Sequence, residues 1–371
     1  MIVPAGIHIN NKNISLQMYT KGLSAFEKSC NEDYVSTFSM VCSSSTESLL
    51  SNLPLNLNVL LSLLDVRSED DMKDVFSPLN RPSTVKFIDG KVMIGRKREE
   101  KELATIIIDY FKKIIENMKN GVKDQGKNVE FHILVTYPAY LSITTRKKIQ
   151  SFMSRATDDF KTTWDEEKKR DNLKFEIKIE SISYMTEEEA IVCGHYYTTN
   201  SLDSNLTEKS FIVCNIGDIR SSITHVHYMS PDNAECEVDR FDECSERVFI
   251  KKFLDLGVEK DELMEAVNKN PMNVRNFISY LPSTPLQIKK KCIDVVREFS
   301  QPLIEKLGLW IKAGKCDGVF VMGNCILLTN IKELLEGKFQ EGTKFIELPF
   351  PQTIDHYKMC TSCALLYRIE L

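Results

Sequence analysis

The spacing of apolar and polar positions divides the chain into strands and helices. Ser210 to Tyr228 (SFIVCNIGDIRSSITHVHY) is an apolar run, a polar turn at Asn215-Ile216-Gly217-Asp218 and a second run that alternates, which predicts two strands joined by a glycine-bearing turn. Ala5 to Tyr19 has the same build, strand, polar turn, strand. Residues 84 to 94 (TVKFIDGKVMI) form the clearest hairpin, with Asp89-Gly90 as a two-residue type I′ turn signal. Phe131 to Tyr137 is mostly apolar and is ended by Pro138, which suits a buried strand. Phe175 to Ile182 and Asp317 to Met322 read as further strands, the second followed by a turn at Gly323-Asn324.

Helical periodicity fills much of the rest. From Glu99 to Lys119 the residues Leu103, Ile107, Tyr110, Ile114 and Met118 recur at spacings of three and four, with Glu and Lys on the other face. A helix bearing Arg146, Lys147 and Lys148 in its first turns follows Pro138, and residues 157 to 174, charged with both signs, read as its solvated end or an insertion. Thr186 caps a helix to Tyr196 with acids in its first turn. Cys244 to Lys312 is largely helical, with Thr284-Pro285 at one helix start and Gln301-Pro302 at a second. Ile331 to Phe339 and Tyr357 to Tyr367 read as the last helices. Cys42 to Asn52 is a Ser-rich loop leading into the apolar run Leu55 to Leu64, and Ser77 to Ser83 is a turn region.

A chain of 371 residues with 42% hydrophobic content is too long for one ordinary core and suits two lobes. With Lys+Arg 48 against Asp+Glu 53, the net charge of −5 does not mark the surface for sequence-specific nucleic-acid binding. No stretch approaches the roughly 18 to 20 consecutive apolar residues of a membrane span, and the N-terminus lacks a basic region ahead of an apolar segment, so a cytoplasmic protein is expected. The cysteines sit in apolar contexts such as those of Cys193 and Cys214 and read as buried, reduced thiols. Cys360-Thr-Ser-Cys363 has CxxC spacing without a second pair or His pair, so helix packing is the better reading and no metal site is expected. Asn13-Ile-Ser15 and Asn205-Leu-Thr207 fit the glycosylation pattern, which carries no meaning in the cytosol.

The order hairpin, helix, Val135-Thr136-Tyr137-Pro138-Ala139-Tyr140, helix, strand, helix, hairpin, then strand, Gly turn and helix resembles the ATPase domain of Hsp70. Val321-Met322-Gly323-Asn324 through Ile331-Lys332-Glu333-Leu334-Leu335 looks like the family's adenosine motif and its helix, and Gln301 to Leu307 fits the helix before it. The match spans about residues 5 to 371 at low identity. It implies an α/β, actin/Hsp70-like two-lobed fold of duplicated ribonuclease H-like domains. Lobe I would be 1–200 and lobe II 201–371, with the outer subdomain of lobe II reduced. No substrate-binding domain is expected, since neither the acidic-hydrophobic linker nor a peptide-binding domain precedes Leu371. A sugar-kinase or actin relative fits VTYPAY and its helix less well.

At the functional positions the sequence departs from the family. The first hairpin turn, Asp-Leu-Gly-Thr-Thr in Hsp70, reads His8, Ile9, Asn10, Asn11, Lys12, so the acid, the glycine and both hydroxyls are gone. The second, Asp-Leu-Gly-Gly-Gly-Thr, reads Asn215, Ile216, Gly217, Asp218, Ile219, Arg220, keeping one glycine and placing Asp218 where phosphate oxygens approach. The general-base acid falls at Met185, and Glu187 or Glu188 could substitute only if the helix shifted. Gly-Gly-Ser-Thr-Arg in the adenosine motif becomes Gly323, Asn324, Cys325, Ile326, Leu327, without the adenine-stacking Arg, and no residue of the stretch from 60 to 75 can be placed as the family's catalytic Lys. Phosphoryl transfer depends almost wholly on positioning and electrostatic stabilisation, so with these groups lost together neither hydrolysis nor a catalytic residue is expected. Nucleotide binding is weakened. Lys12 and Arg220 could offset phosphate charge, with solvated surface cations as the plainer reading. The vestigial nucleotide positions are Asn10, Asn11, Lys12, Gly217, Asp218, Ile219, Arg220, Gly323 and Asn324; no cofactor is required, and ATP is the one candidate.

Gly217-Asp218-Ile219-Arg220-Ser221 looks most like the Gly-Gly-Ile-Arg-Ser turn of the atypical Hsp70 of the fungal ribosome-associated complex, and Asp89-Gly90-Lys91-Val92 lies where that relative has Asp-Gly-Lys-Val. That branch holds a zuotin-type J-protein at the ribosome and does not need ATP hydrolysis. The resemblance implies a non-catalytic Hsp70-like co-chaperone or scaffold that binds a J-domain protein and the ribosome and assists nascent-chain folding. The alternative is a minimal Hsp70-type ATP-binding chaperone with weak ATPase activity.

Overall fold

The computed structural model describes residues 1–9, 14–18, 40–41, 60–76, 81, 83–95, 100–200, 206–217, 220–230, 233–241, 244–268, 274–313, 316–323 and 344–346. The protein is mixed α/β with several sheets. It divides into two compact units, whose described residues lie within Met1–Ser204 and Asn205–His356.

In the first unit, β1 (Ile2–Ile9), β2 (Ile14–Met18) and β3 (Met40–Val41) form an antiparallel meander. Helices α1 (Leu60–Leu64) and α2 (Glu69–Phe76) follow. Next come β4 (Val85–Ile88), β5 (Lys91–Ile94) and β6 (Lys101–Glu102), a small antiparallel sheet of their own. Its first turn is Asp89-Gly90 with φ of 50° and 77°, the left-handed pair that a type I′ turn requires. Helix α3 (Leu103–Lys123) packs against α4 (Ile143–Arg170). Between them runs β7 (Val129–Tyr137), parallel to β1, and after α4 comes β8 (Ile177–Thr186), parallel to β7. Helix α5 (Glu187–Asn200) closes the unit, and the sheet order is β3-β2-β1-β7-β8.

The second unit begins with β9 (Ser210–Ile216) and β10 (Ser221–Ser230), antiparallel, and adds β11 (Asn233–Phe241) on the far side of β10. Helices α6 (Glu246–Asp255), α7 (Lys260–Asn268), α8 (Val274–Ser279) and α9 (Leu286–Ala313) follow. Then β12 (Gly318–Gly323) runs parallel to β9, and β13 (Phe345–Ile346) parallel to β12. The order is β11-β10-β9-β12-β13. Both large sheets thus share one plan: an antiparallel meander whose first strand is flanked by two successive parallel strands. Four residues, 10–13, separate the paired Ile9 and Ile14, and four, 217–220, separate the paired Ile216 and Ser221.

Burial explains why these segments became these elements. One face of β9, β10 and β12 presents Ile212, Cys214, Ile216, Ile223, Val319 and Val321 to Phe249, Phe253, Phe277, Phe299 and Leu303 from the helices, a single buried cluster. In the first unit the α3 stripe Leu103, Ile107, Tyr110, Ile114 and Met118 is buried as expected, joined by Phe111 and Ile115. Cys193 and Cys214 are buried and lie outside any disulfide, and burial raises the pKa of Cys214 far above the ordinary thiol range.

Several boundaries differ from the sequence expectation. The helix expected over Glu99–Lys119 starts at Leu103, because Lys101 and Glu102 are drawn into pairing with Ile94 and Met93 of β5. The strand expected over Phe175–Ile182 is Ile177–Thr186, extended by pairing along the whole of β7. Residues 143 to 170 form one helix, with Phe160 and Trp164 buried within the charged stretch. Asn215 and Ile216 belong to β9 and not to the turn. Gln301-Pro302 does not start a helix: α9 is continuous from Leu286 to Ala313 with Pro302 inside it. One backbone hydrogen bond is forgone there, while buried Phe299, Leu303, Ile304 and Leu307 hold the segment in place. Strand β11 lies just before the helical segment, where no strand was expected. The helices expected at 331–339 and 357–367, the loops at 42–52 and most of 77–83, the CxxC pair, Asn13 and Asn205 lie outside the described residues.

Candidate functional site

In open α/β sheets ligands collect beyond the carboxyl ends of the parallel strands. In the first unit those ends are His8-Ile9 of β1, Thr136-Tyr137 of β7 and Met185-Thr186 of β8. Register places His8 beside Thr136 and Thr136 beside Met185, one row across three strands. His8 and Thr136 are buried, and His8 Nδ1 lies 3.0 Å from Thr136 Oγ1. Met185 is buried too. These side chains are therefore packed into the end of the sheet.

The next layer is a clamp around Pro138 to Ser142. The Ala139 N–H donates to Glu188 Oε2 at 2.8 Å, and Glu188 is fully buried at the start of α5. The Ala139 carbonyl accepts from Arg146, whose Nε also donates to the Leu141 carbonyl at 3.0 Å. The Arg146 guanidinium stands 5.6 Å from the centre of the Tyr137 ring. Burial raises the Tyr137 pKa; Arg146 opposes the rise and Glu189 adds to it. Tyr184 is pushed up to about 12, by burial first and by Tyr137 second. Ser142 caps α4 by accepting the Thr145 N–H at 3.1 Å, and both hydroxyls, Ser142 and Thr145, donate to Asp65. Lys148 donates to the Leu64 carbonyl at 2.6 Å. Thr186 accepts the Glu189 N–H at 3.1 Å as the cap of α5.

In the second unit Ile216 pairs with Ser221 on one side and Gly323 on the other, so Gly217, Arg220 and Gly323 share one end of the sheet. A Cβ on Gly217 would stand 2.3 Å from the Arg220 carbonyl oxygen, so the turn closes on itself at the glycine. Ser221 Oγ donates to the Cys244 carbonyl at 2.8 Å, tying the hairpin to the segment that opens α6. Of the other expected nucleotide positions, Asn10, Asn11, Lys12, Asp218, Ile219 and Asn324 lie outside the described residues.

Among the described residues no group of three or more His, Cys, Asp or Glu could hold a metal ion, and no helix is long and apolar enough to cross a membrane. The sequence offers Glu188 as a first-turn helix acid and as a substitute catalytic acid, but shows neither its bond to Ala139 nor the pairing of His8 with Thr136. The signal for the first was Thr186-Glu187-Glu188-Glu189 directly after a strand. No family model and no curated protein matches the sequence.

Proposed function

We propose that this chain is a degenerate Hsp70-type nucleotide-binding domain of two ribonuclease H-like lobes. In this reading it serves in the cytoplasm as a non-catalytic co-chaperone or scaffold, binding a zuotin-type J-domain protein at the ribosome. The repeated strand order and the equal four-residue separations between the first two strands of each sheet support duplication of one ancestral unit.

The observation that carries the non-catalytic reading is what the strand ends do. Where Hsp70 has its metal-side acid, this chain has His8, buried and bonded to Thr136. Where the general-base acid belongs stands buried Met185, and the nearby Glu188 is engaged by the Ala139 N–H. The remaining phosphate glycine, Gly217, is filled by its own turn. Groups spent on holding the fold leave phosphoryl transfer without the charges that would stabilise it.

Calorimetry with ATP and Mg²⁺, followed by a turnover assay, tests the reading. Weak or absent binding and no turnover above background are expected. Turnover comparable to an ordinary Hsp70, abolished by Lys12→Ala or Arg220→Ala, would overturn it in favour of a minimal Hsp70-type ATPase.

A further inference from the structure

The second unit carries a histidine pair on β10, away from the Gly217 turn and outside the strand-end site. His225 and His227 are two apart on one strand and so face the same side of the sheet. That side is the one on which Ile223 meets the helices. The two imidazoles stack, with centroids 6.4 Å apart and planes 16° from parallel. His225 also meets the Trp310 indole of α9 edge to face, centroids 5.8 Å apart at 82°. His227 Nδ1 lies 2.8 Å from Ser210 Oγ of β9. Trp310 is fixed in turn, since its Nε1–H donates to Asp239 Oδ2 of β11 at 3.0 Å, and Lys306, one helical turn back, reaches the same oxygen at 3.0 Å. The last turns of α9 are thus fastened to β10 and β11 through Trp310, which meets His225 and Asp239, and through Lys306, which shares Asp239, while His227 backs His225 from the next same-face position on the strand.

We propose that His225 and His227 form, with Trp310, a proton-operated latch that holds the C-terminal turns of α9 against the β10–β11 edge and releases them on acidification. Histidine is the side chain whose charge changes in the mild acid range. Protonating His225 in place puts a cation on a half-buried ring, beside a second imidazole and on the side of the sheet where Lys306 lies. The opposing charges come from β11: register sets Glu237 across from His225 and Glu235 across from His227. Both are exposed, so water screens them, and Asp239 is already shared by Trp310 and Lys306. On the β9 side, Lys209 and Asp317 pair with each other at 3.1 Å beside Ser210. Burial and His227 together hold the His225 pKa below the ordinary histidine value, with Glu237 opposing. A site that binds its proton less tightly when closed than when open loses closed-state stability as the pH falls below that ordinary value, about 6.5, so acid shifts the balance toward the open form. Helix α9 leads within a few residues into β12, which ends at Gly323 beside Ile216, so release of its last turns bears on the strand that borders the hairpin. The latch stands on the second unit alone and does not depend on the chaperone reading.

Amide hydrogen exchange, corrected for intrinsic rates and followed from pH 7.5 to pH 5, tests it on the full chain. Peptides covering residues 303–312 are expected to exchange several-fold faster at the acid end. His225→Phe, which keeps an aromatic ring against Trp310 but cannot titrate, should abolish that acid response. His227→Gln, which removes the neighbouring imidazole, should move the midpoint of the response to higher pH. Equal protection of 303–312 across the range in the natural chain would overturn the proposal. So would an acid response retained in His225→Phe, or an unmoved midpoint in His227→Gln should the Phe variant fail to fold.

Discussion

Gly217 and Arg220 are in contact through the backbone: a Cβ on Gly217 would stand 2.3 Å from the Arg220 carbonyl oxygen. The glycine that most resembles a phosphate-binding residue is thus required by the hairpin's own closure. Any side chain there forces the turn open and disturbs Ser221, whose hydroxyl anchors the hairpin to the Cys244 carbonyl.

Gly217→Ala is therefore expected to destabilise the protein by about 1–3 kcal/mol, the usual range for an overpacked close approach. Urea denaturation measures it. A neutral substitution would show that the turn can open without cost.

Glu188 gives a second test at the other strand end. Glu188→Ala leaves the Ala139 N–H buried without its acceptor and should cost about 1–3 kcal/mol. Glu188→Gln keeps a carbonyl oxygen and should recover much of that loss. Equal destabilisation by the two variants would mean that charge, and not the bond to Ala139, holds the Pro138 to Ser142 loop.

The α3–α4 interface has a pH signature. Burial works to raise the Glu167 pKa, but Lys119 and Lys123 outweigh it and hold the carboxyl below the ordinary glutamate value. A lowered carboxylate pKa stabilises the fold above its unfolded value, about 4.3, and that contribution fades as the pH falls through the folded value. The natural chain should lose stability on acidification through this window more steeply than Glu167→Gln, and the variant should be weaker by about 1–3 kcal/mol at pH 7. Parallel acid profiles for the two would remove Glu167 from the account.

Much of the fold was legible where chemistry is local. Asp89-Gly90 announces its turn because both residues must take positive φ, and Thr186 announces the start of α5 because its hydroxyl meets an N–H three residues on. Strand β11 escaped because it is an edge strand alternating Glu235, Glu237 and Asp239 with Ala234, Cys236 and Val238, a weak apolar signal. Pro302 misled because a proline that begins a helix and one that long-range packing tolerates inside a helix look alike in sequence. The strand ends were the hardest to read. The His8–Thr136 bond joins residues 128 apart, and only the parallel register of β1 and β7 brings them together. The bond from Ala139 to Glu188 likewise depends on where α5 begins relative to β7.

Affinity purification of the chain from its native cell tests the scaffold claim most directly. A J-domain protein or ribosomal proteins are expected to be recovered with it at near-stoichiometric yield. Recovery of nucleotide and client polypeptides alone would contradict it.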